Sequence, residues 1–107
     1  MSSLAAWMLV LAAGLLEVGM AIALKTSQGW TQPVPSVLAL AAALGSIYLL
    51  AVAVRALPLA VAYAAWTGIG AIGVTLAGRL CFAEPLSIAR LLCMTLIFAG
   101  IAGLRTF

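Results

Sequence analysis

Four long apolar runs separated by short polar breaks organise this chain. The first extends from Leu4 to Leu24 and is closed by Lys25, Ser27, Gln28 and Gly29 ahead of Pro33 and Pro35. The second extends from Ser36 to Val54, where Arg55 and Pro58 mark a tight turn. The third covers Leu59 to Leu80, and Glu84-Pro85-Leu86-Ser87 then breaks the pattern. Ser87 is placed to cap the N-terminus of a fourth run that continues to Leu104. About 20 predominantly apolar residues cross a hydrocarbon core of roughly 30 Å, so each run predicts a transmembrane helix. Short connections make successive helices antiparallel. The expected fold is an all-α integral membrane protein, with four transmembrane helices in a single domain over residues 1–107. Trp7 and Trp30 fall near predicted span ends, where amphipathic rings anchor at the headgroup level.

Composition sharpens this picture. Of the 107 residues, 67% are hydrophobic and 7% charged, and a water-facing surface cannot be built from so few charges. Six of the charges, Lys25, Arg55, Arg79, Glu84, Arg90 and Arg105, lie at or near the ends of apolar runs; only Glu17 lies well inside one. The net charge of +3 is spread singly between the runs. It therefore forms no stripe that could track a phosphate backbone, and no nucleic-acid partner is expected. Met1-Ser2-Ser3 lacks a positive n-region and the following run contains a glutamate, so a cleaved signal peptide is not expected. Cys81 and Cys93 have no partner histidine and read as structural. No metal or other cofactor is implied.

Orientation follows the Lys/Arg bias of short loops. With four spans, Arg55 and Arg105 lie on one side, and Lys25, Arg79 and Arg90 on the other. Two against three gives almost no preference, so the chain is expected to insert both ways. A chain that does so can pair with its inverted copy, creating between two polypeptides the inverted symmetry that many transporters carry within one. The expected assembly is an antiparallel, dual-topology homodimer. Such a dimer would bring a second Glu17 to the site.

A carboxylate at the membrane interior costs roughly 2.5 to 3.5 kcal/mol on insertion scales, so such groups usually face a cavity and mark ion or substrate paths. Packing hydrogen bonds are made more cheaply by Ser, Thr or Asn. The helical neighbours of Glu17 are Val10, Ala13, Gly14, Met20, Ala21 and Leu24, and the small ones leave room beside the acid. That room suits either a cation or a closely packed helix. On the third helix, Tyr63, Trp66 and Gly70 share one face, where a phenol and an indole can stack on an organic cation or donate to a carboxylate. Ser46 can hydrogen-bond across helices or to its own backbone. Gly68, Gly70 and Gly73 spell GxGxxG, but no strand precedes them and they sit within a span, so a dinucleotide site is excluded. They read as positions for helix bending and close packing. Gly100 and Gly103 read as contact positions on the fourth helix, facing a second copy. The chain has no histidine, no second intramembrane acid and no serine with a plausible base, so an enzyme is not expected.

The segments Ala13-Gly14-Leu15-Leu16-Glu17-Val18, Ala21-Ile22-Ala23-Leu24-Lys25, Leu57-Pro58 and Ala62-Tyr63-Ala64-Ala65-Trp66-Thr67-Gly68-Ile69-Gly70-Ala71 resemble the small multidrug resistance family of proton-coupled exporters. The resemblance covers essentially the whole chain, including Glu84-Pro85-Leu86. It implies a multi-pass protein of the bacterial plasma membrane, working as an antiparallel dimer whose two Glu17 carboxylates bind either protons or a cationic substrate. Tyr63, Trp66 and Ser46 match family positions that line the site or hydrogen-bond the acid, and the glycines of the third helix match a segment that bends during alternating access. Trp66-Thr67-Gly68, Ser46, Gly14 and Gly103-Leu104-Arg105 are similar to the guanidinium-exporter subtype. Met20 departs from that subtype, which usually has Trp there, and from the quaternary-ammonium subtype, which usually has Gly. Ala43 replaces a larger residue common to both. The resemblance implies export of guanidinium-type and small hydrophobic cations; quaternary-ammonium export is the alternative within the family. A structural or accessory membrane subunit is the alternative outside it.

Overall fold

The computed structural model describes all 107 residues, Met1–Phe107. It contains four helices and no strand: α1 Ser3–Thr26, α2 Pro33–Ala53, α3 Leu59–Phe82 and α4 Ile88–Thr106. Each is long and apolar enough to cross a membrane; even the 19 residues of α4 rise about 28 Å at 1.5 Å per residue.

The helix ends follow from local chemistry. Ser2 caps α1 by accepting a hydrogen bond from the Ala5 amide at 3.1 Å. At the other end, the Ser27 hydroxyl donates to the Leu24 carbonyl and accepts from the Trp30 amide. Gln28, Gly29 and Trp30 all take positive φ to turn the chain. The second helix begins at Pro33, three residues before the start expected at Ser36. Prolines fit the first turn of a helix because the amides there have no intrahelical acceptor, so Pro33 opens α2 rather than terminating the loop. Ala83 adopts the left-handed conformation that closes α3. Ser87 caps α4 as expected, accepting from the Arg90 amide at 3.2 Å.

The arrangement centres on α1, which packs against both α2 and α3, while α4 leans on α3 alone. The molecule is a slab of 41 × 34 × 16 Å, little more than one helix diameter thick. Its interior is made of small residues: Ala6, Val10, Ala13, Ala39, Ala53, Ala62 and Ala65 are buried, and no fully buried side chain is larger than Val10. Large side chains such as Leu4, Leu11, Leu15, Leu38 and Leu96 point outward. Lipid tails solvate leucine as well as another leucine does, so helices associate here through close backbone approach. Trp7, expected as a headgroup anchor, packs part of its ring against the core cluster of Val10, Ala53, Ala62 and Ala65. Trp30 is exposed at a helix end. No residue of α4 is buried.

Candidate functional site

Glu17 lies on the face of α1 that meets α3. The two helices interlock around it: Ile69 closes over Gly14, the Glu17 carboxylate lies against Gly70, and Val18 lies against Gly73. A Cβ at Gly70 would overlap the carboxylate, so this position requires glycine for space rather than for backbone freedom. The third glycine, Gly68, is covered by Ile97 and Ile101 of α4. Helix α3 runs unbroken from Leu59 to Phe82, with its glycines serving as contact points for α1 and α4 in this conformation.

The Glu17 carboxylate is only partly buried and accepts no hydrogen bond or salt bridge from its own chain. Both carboxylate oxygens are thus free of intrachain partners. Met20, one turn further along α1, is also half-buried.

Beside the acid, a hydrogen-bonded relay ties three helices. The Trp66 indole N–H of α3 donates to the Ser46 hydroxyl of α2 at 2.8 Å, and Ser46 donates to the Ala13 carbonyl of α1 at 2.7 Å. Ser46 is 1% exposed, and both ends of its dipole are used across helices. In this conformation the serine therefore holds the helix carrying Glu17 and not the carboxylate itself. Tyr63 meets Trp66 edge to face, with ring centroids 5.4 Å apart, and Tyr63 is exposed. The structure thus joins Ser46, Trp66 and Tyr63, and separately joins Glu17 to Gly70. It brings neither Tyr63 nor Ser46 into hydrogen-bond contact with Glu17. Gly100 and Gly103 face open space, with nothing within reach of an added Cβ.

Sequence reasoning missed one arrangement. Lys25, at the end of α1, forms a salt bridge of 2.7 Å with Glu84 of the α3–α4 turn, and its ammonium lies 5.0 Å from the centroid of the Phe82 ring. The available signal was the placement of both charges in the first and third loops, on the same side of the membrane.

Comparison with known proteins adds to this geometry. The sequence profile described as Small Multidrug Resistance protein matches residues 5–97. A protein of Yersinia pseudotuberculosis named guanidinium exporter is 48% identical over 94% of this chain and 96% of its own length. A guanidinium exporter of Citrobacter freundii is 50% identical over 92% of this chain and 94% of its own. One from Salmonella typhimurium strain LT2 is 46% identical over the same shares.

Proposed function

Because this chain belongs to the Small Multidrug Resistance protein family, we propose that it is a proton-coupled antiporter exporting guanidinium-type and small hydrophobic organic cations. It is a multi-pass protein of the bacterial inner membrane, in a family of transporters and not of enzymes. The observation that carries the proposal is the Glu17 carboxylate, unpaired within its chain and held at the α1–α3 contact by the gap at Gly70. One acid that binds either a proton or a cation is the simplest device that couples their opposite movements.

A planar guanidinium offers parallel N–H donors to a carboxylate, and an aromatic face can cover its plane. Trp66, positioned by Ser46, supplies that face, and Tyr63 adds a second ring set edge to face against it. The names of the relatives support the guanidinium class. Met20 widens the reading toward bulkier cations, since a flexible thioether adapts to shapes a rigid ring would exclude. Gly68, Gly70 and Gly73 give α3 the freedom to bend as access alternates.

The working unit in this proposal is an antiparallel homodimer of dual topology. A slab 16 Å thick cannot surround a substrate path, and α4 presents an apolar face, open at Gly100 and Gly103, that a second copy would cover. The near balance of basic loop residues supports insertion in both directions.

The test is cation binding as a function of pH. Guanidinium affinity should fall as pH is lowered through the ionisation range of the Glu17 pair, because the protonated acid has lost its attraction for the cation. Glu17→Gln, which keeps size and polarity but removes the charge, should abolish binding at every pH. Affinity that stays flat from mildly acidic to mildly alkaline pH would overturn the reading.

A further inference from the structure

The chain has one other acid, Glu84, and the structure shows it holding a cation. The Lys25 ammonium lies 2.7 Å from its Oε2 and 5.0 Å from the centroid of Phe82. A carboxylate beside an aromatic face is the combination that recognises ammonium and guanidinium groups. We propose that Glu84 and Phe82 form a second, outer cation site, filled in this conformation by Lys25 and taken by the organic cation as it passes between Glu17 and the membrane surface. This inference rests on the reading of Glu17 as the inner site.

The turn itself builds the site. Ala83 is left-handed, with φ of 53°, and the Glu84 amide donates to the Gly78 carbonyl at 3.1 Å. The Glu84 side chain then folds back over Gly78, where a Cβ would collide with its carboxylate. The neighbouring Arg90 guanidinium donates to the Pro85 carbonyl at 2.7 Å, and Lys25 alone forms a salt bridge with Glu84. Side-chain exposure of 53% for Lys25 and 47% for Glu84 leaves the pair open to exchange, as exposed ion pairs are weakly held.

Position links this site to Glu17. Lys25 lies eight residues beyond Glu17 on α1, about 12 Å along the helix at 1.5 Å per residue. A cavity of about 150 Å³ lies between α1 and α3 under the ion pair, with Ala21, Ile22, Val74 and Ala77 among its walls. Ala21 is one turn from Glu17 on the same side of α1. The cavity thus begins one turn beyond Glu17 and is roofed by Lys25, Phe82 and Glu84, where the cation exchanges with the lysine.

The experiment is an amide NMR titration of the full chain in lipid bilayer discs, with phenylguanidinium as the probe. In the Glu17→Gln background the responses at Met20 and Gly70 should vanish, and their persistence would count against the inner site rather than the outer one. Adding Lys25→Gln should make shifts at Gly78, Phe82 and Glu84 saturate at up to about fivefold lower probe concentration than with the lysine present, since a weakly held tethered competitor has been removed. A further Glu84→Gln should abolish that saturation. Shifts that are absent, that rise without saturating, or that survive Glu84→Gln would overturn the proposal. If the Lys25 variant loses its helical spectrum, the Glu17→Gln chain is compared with and without Glu84→Gln. A saturable response that needs Glu84 supports the outer site, and equal responses refute it.

Discussion

At the residue scale, the contact between Glu17 and Gly70 makes a sharp demand. Gly70→Ala should raise intrinsic helix stability by up to about 1 kcal/mol, yet it places a methyl where the carboxylate lies. The carboxylate is the far end of a flexible side chain and can swing away, so the fold should survive while the site does not. The expected outcome is an unchanged helical spectrum with guanidinium affinity lowered by about tenfold or more, in line with the loss of a positioned charge-assisted contact; titration calorimetry and circular dichroism on one preparation would read both. Unaltered affinity would show that the carboxylate has no fixed place at Gly70. Glu17 could be recognised from sequence because a lone acid within an apolar run is conspicuous in any register. The role of Gly70 could not, because it depends on how α1 and α3 align laterally, and hydropathy is blind to that alignment. The same blindness hid the pairing of Lys25 with Glu84, although both charges were visible at span ends.

At the scale of the elements, the four spans were legible because each is a continuous apolar run that needs no knowledge of its neighbours. The misplaced start of α2 has a local cause: a proline can close a loop or open a helix, and the chain uses Pro33 and Pro35 for the second purpose. Trp7 was read by its distance from a span end, whereas its ring also has the core cluster within reach. Ser46 had two possible bonding habits, and only the packed helices select between them. Its relay predicts a measurable effect. Ser46→Ala leaves the Trp66 N–H without an acceptor and the Ala13 carbonyl without its cross-helix donor, and should destabilise the chain by about 0.5–2 kcal/mol, the range of interhelical hydrogen bonds in membranes. Reversible unfolding in mixed micelles would measure it. Trp66→Phe, which removes the donor but leaves Ser46 bonded to Ala13, should cost less in stability while still weakening cation binding. Equal stability of wild type and Ser46→Ala would mean that the relay does not hold α1 to α2 and α3.

At the scale of the whole molecule, a thin slab with an unburied fourth helix and almost balanced loop charges supports the proposed antiparallel dimer. Dual topology predicts that single-cysteine variants at either terminus, in a background lacking Cys81 and Cys93, are labelled from both sides of the membrane in comparable amounts. Moving one basic residue should tip that balance: Arg55→Ser combined with a new lysine in the first loop should give one predominant orientation, and with it a loss of export when expressed alone. Labelling of the unaltered chain from one side only would overturn dual topology.

The central claim is that one acid per chain exchanges protons for cations, and it is tested most directly by proton flux from the purified chain reconstituted alone in proteoliposomes. An inward guanidinium gradient should drive protons out of the lumen, read as an alkaline shift of an enclosed pH dye. Glu17→Gln vesicles containing the same amount of folded protein should give no shift. Proton movement that persists in Glu17→Gln, or guanidinium uptake by the wild type without any counterflow of protons, would contradict the account.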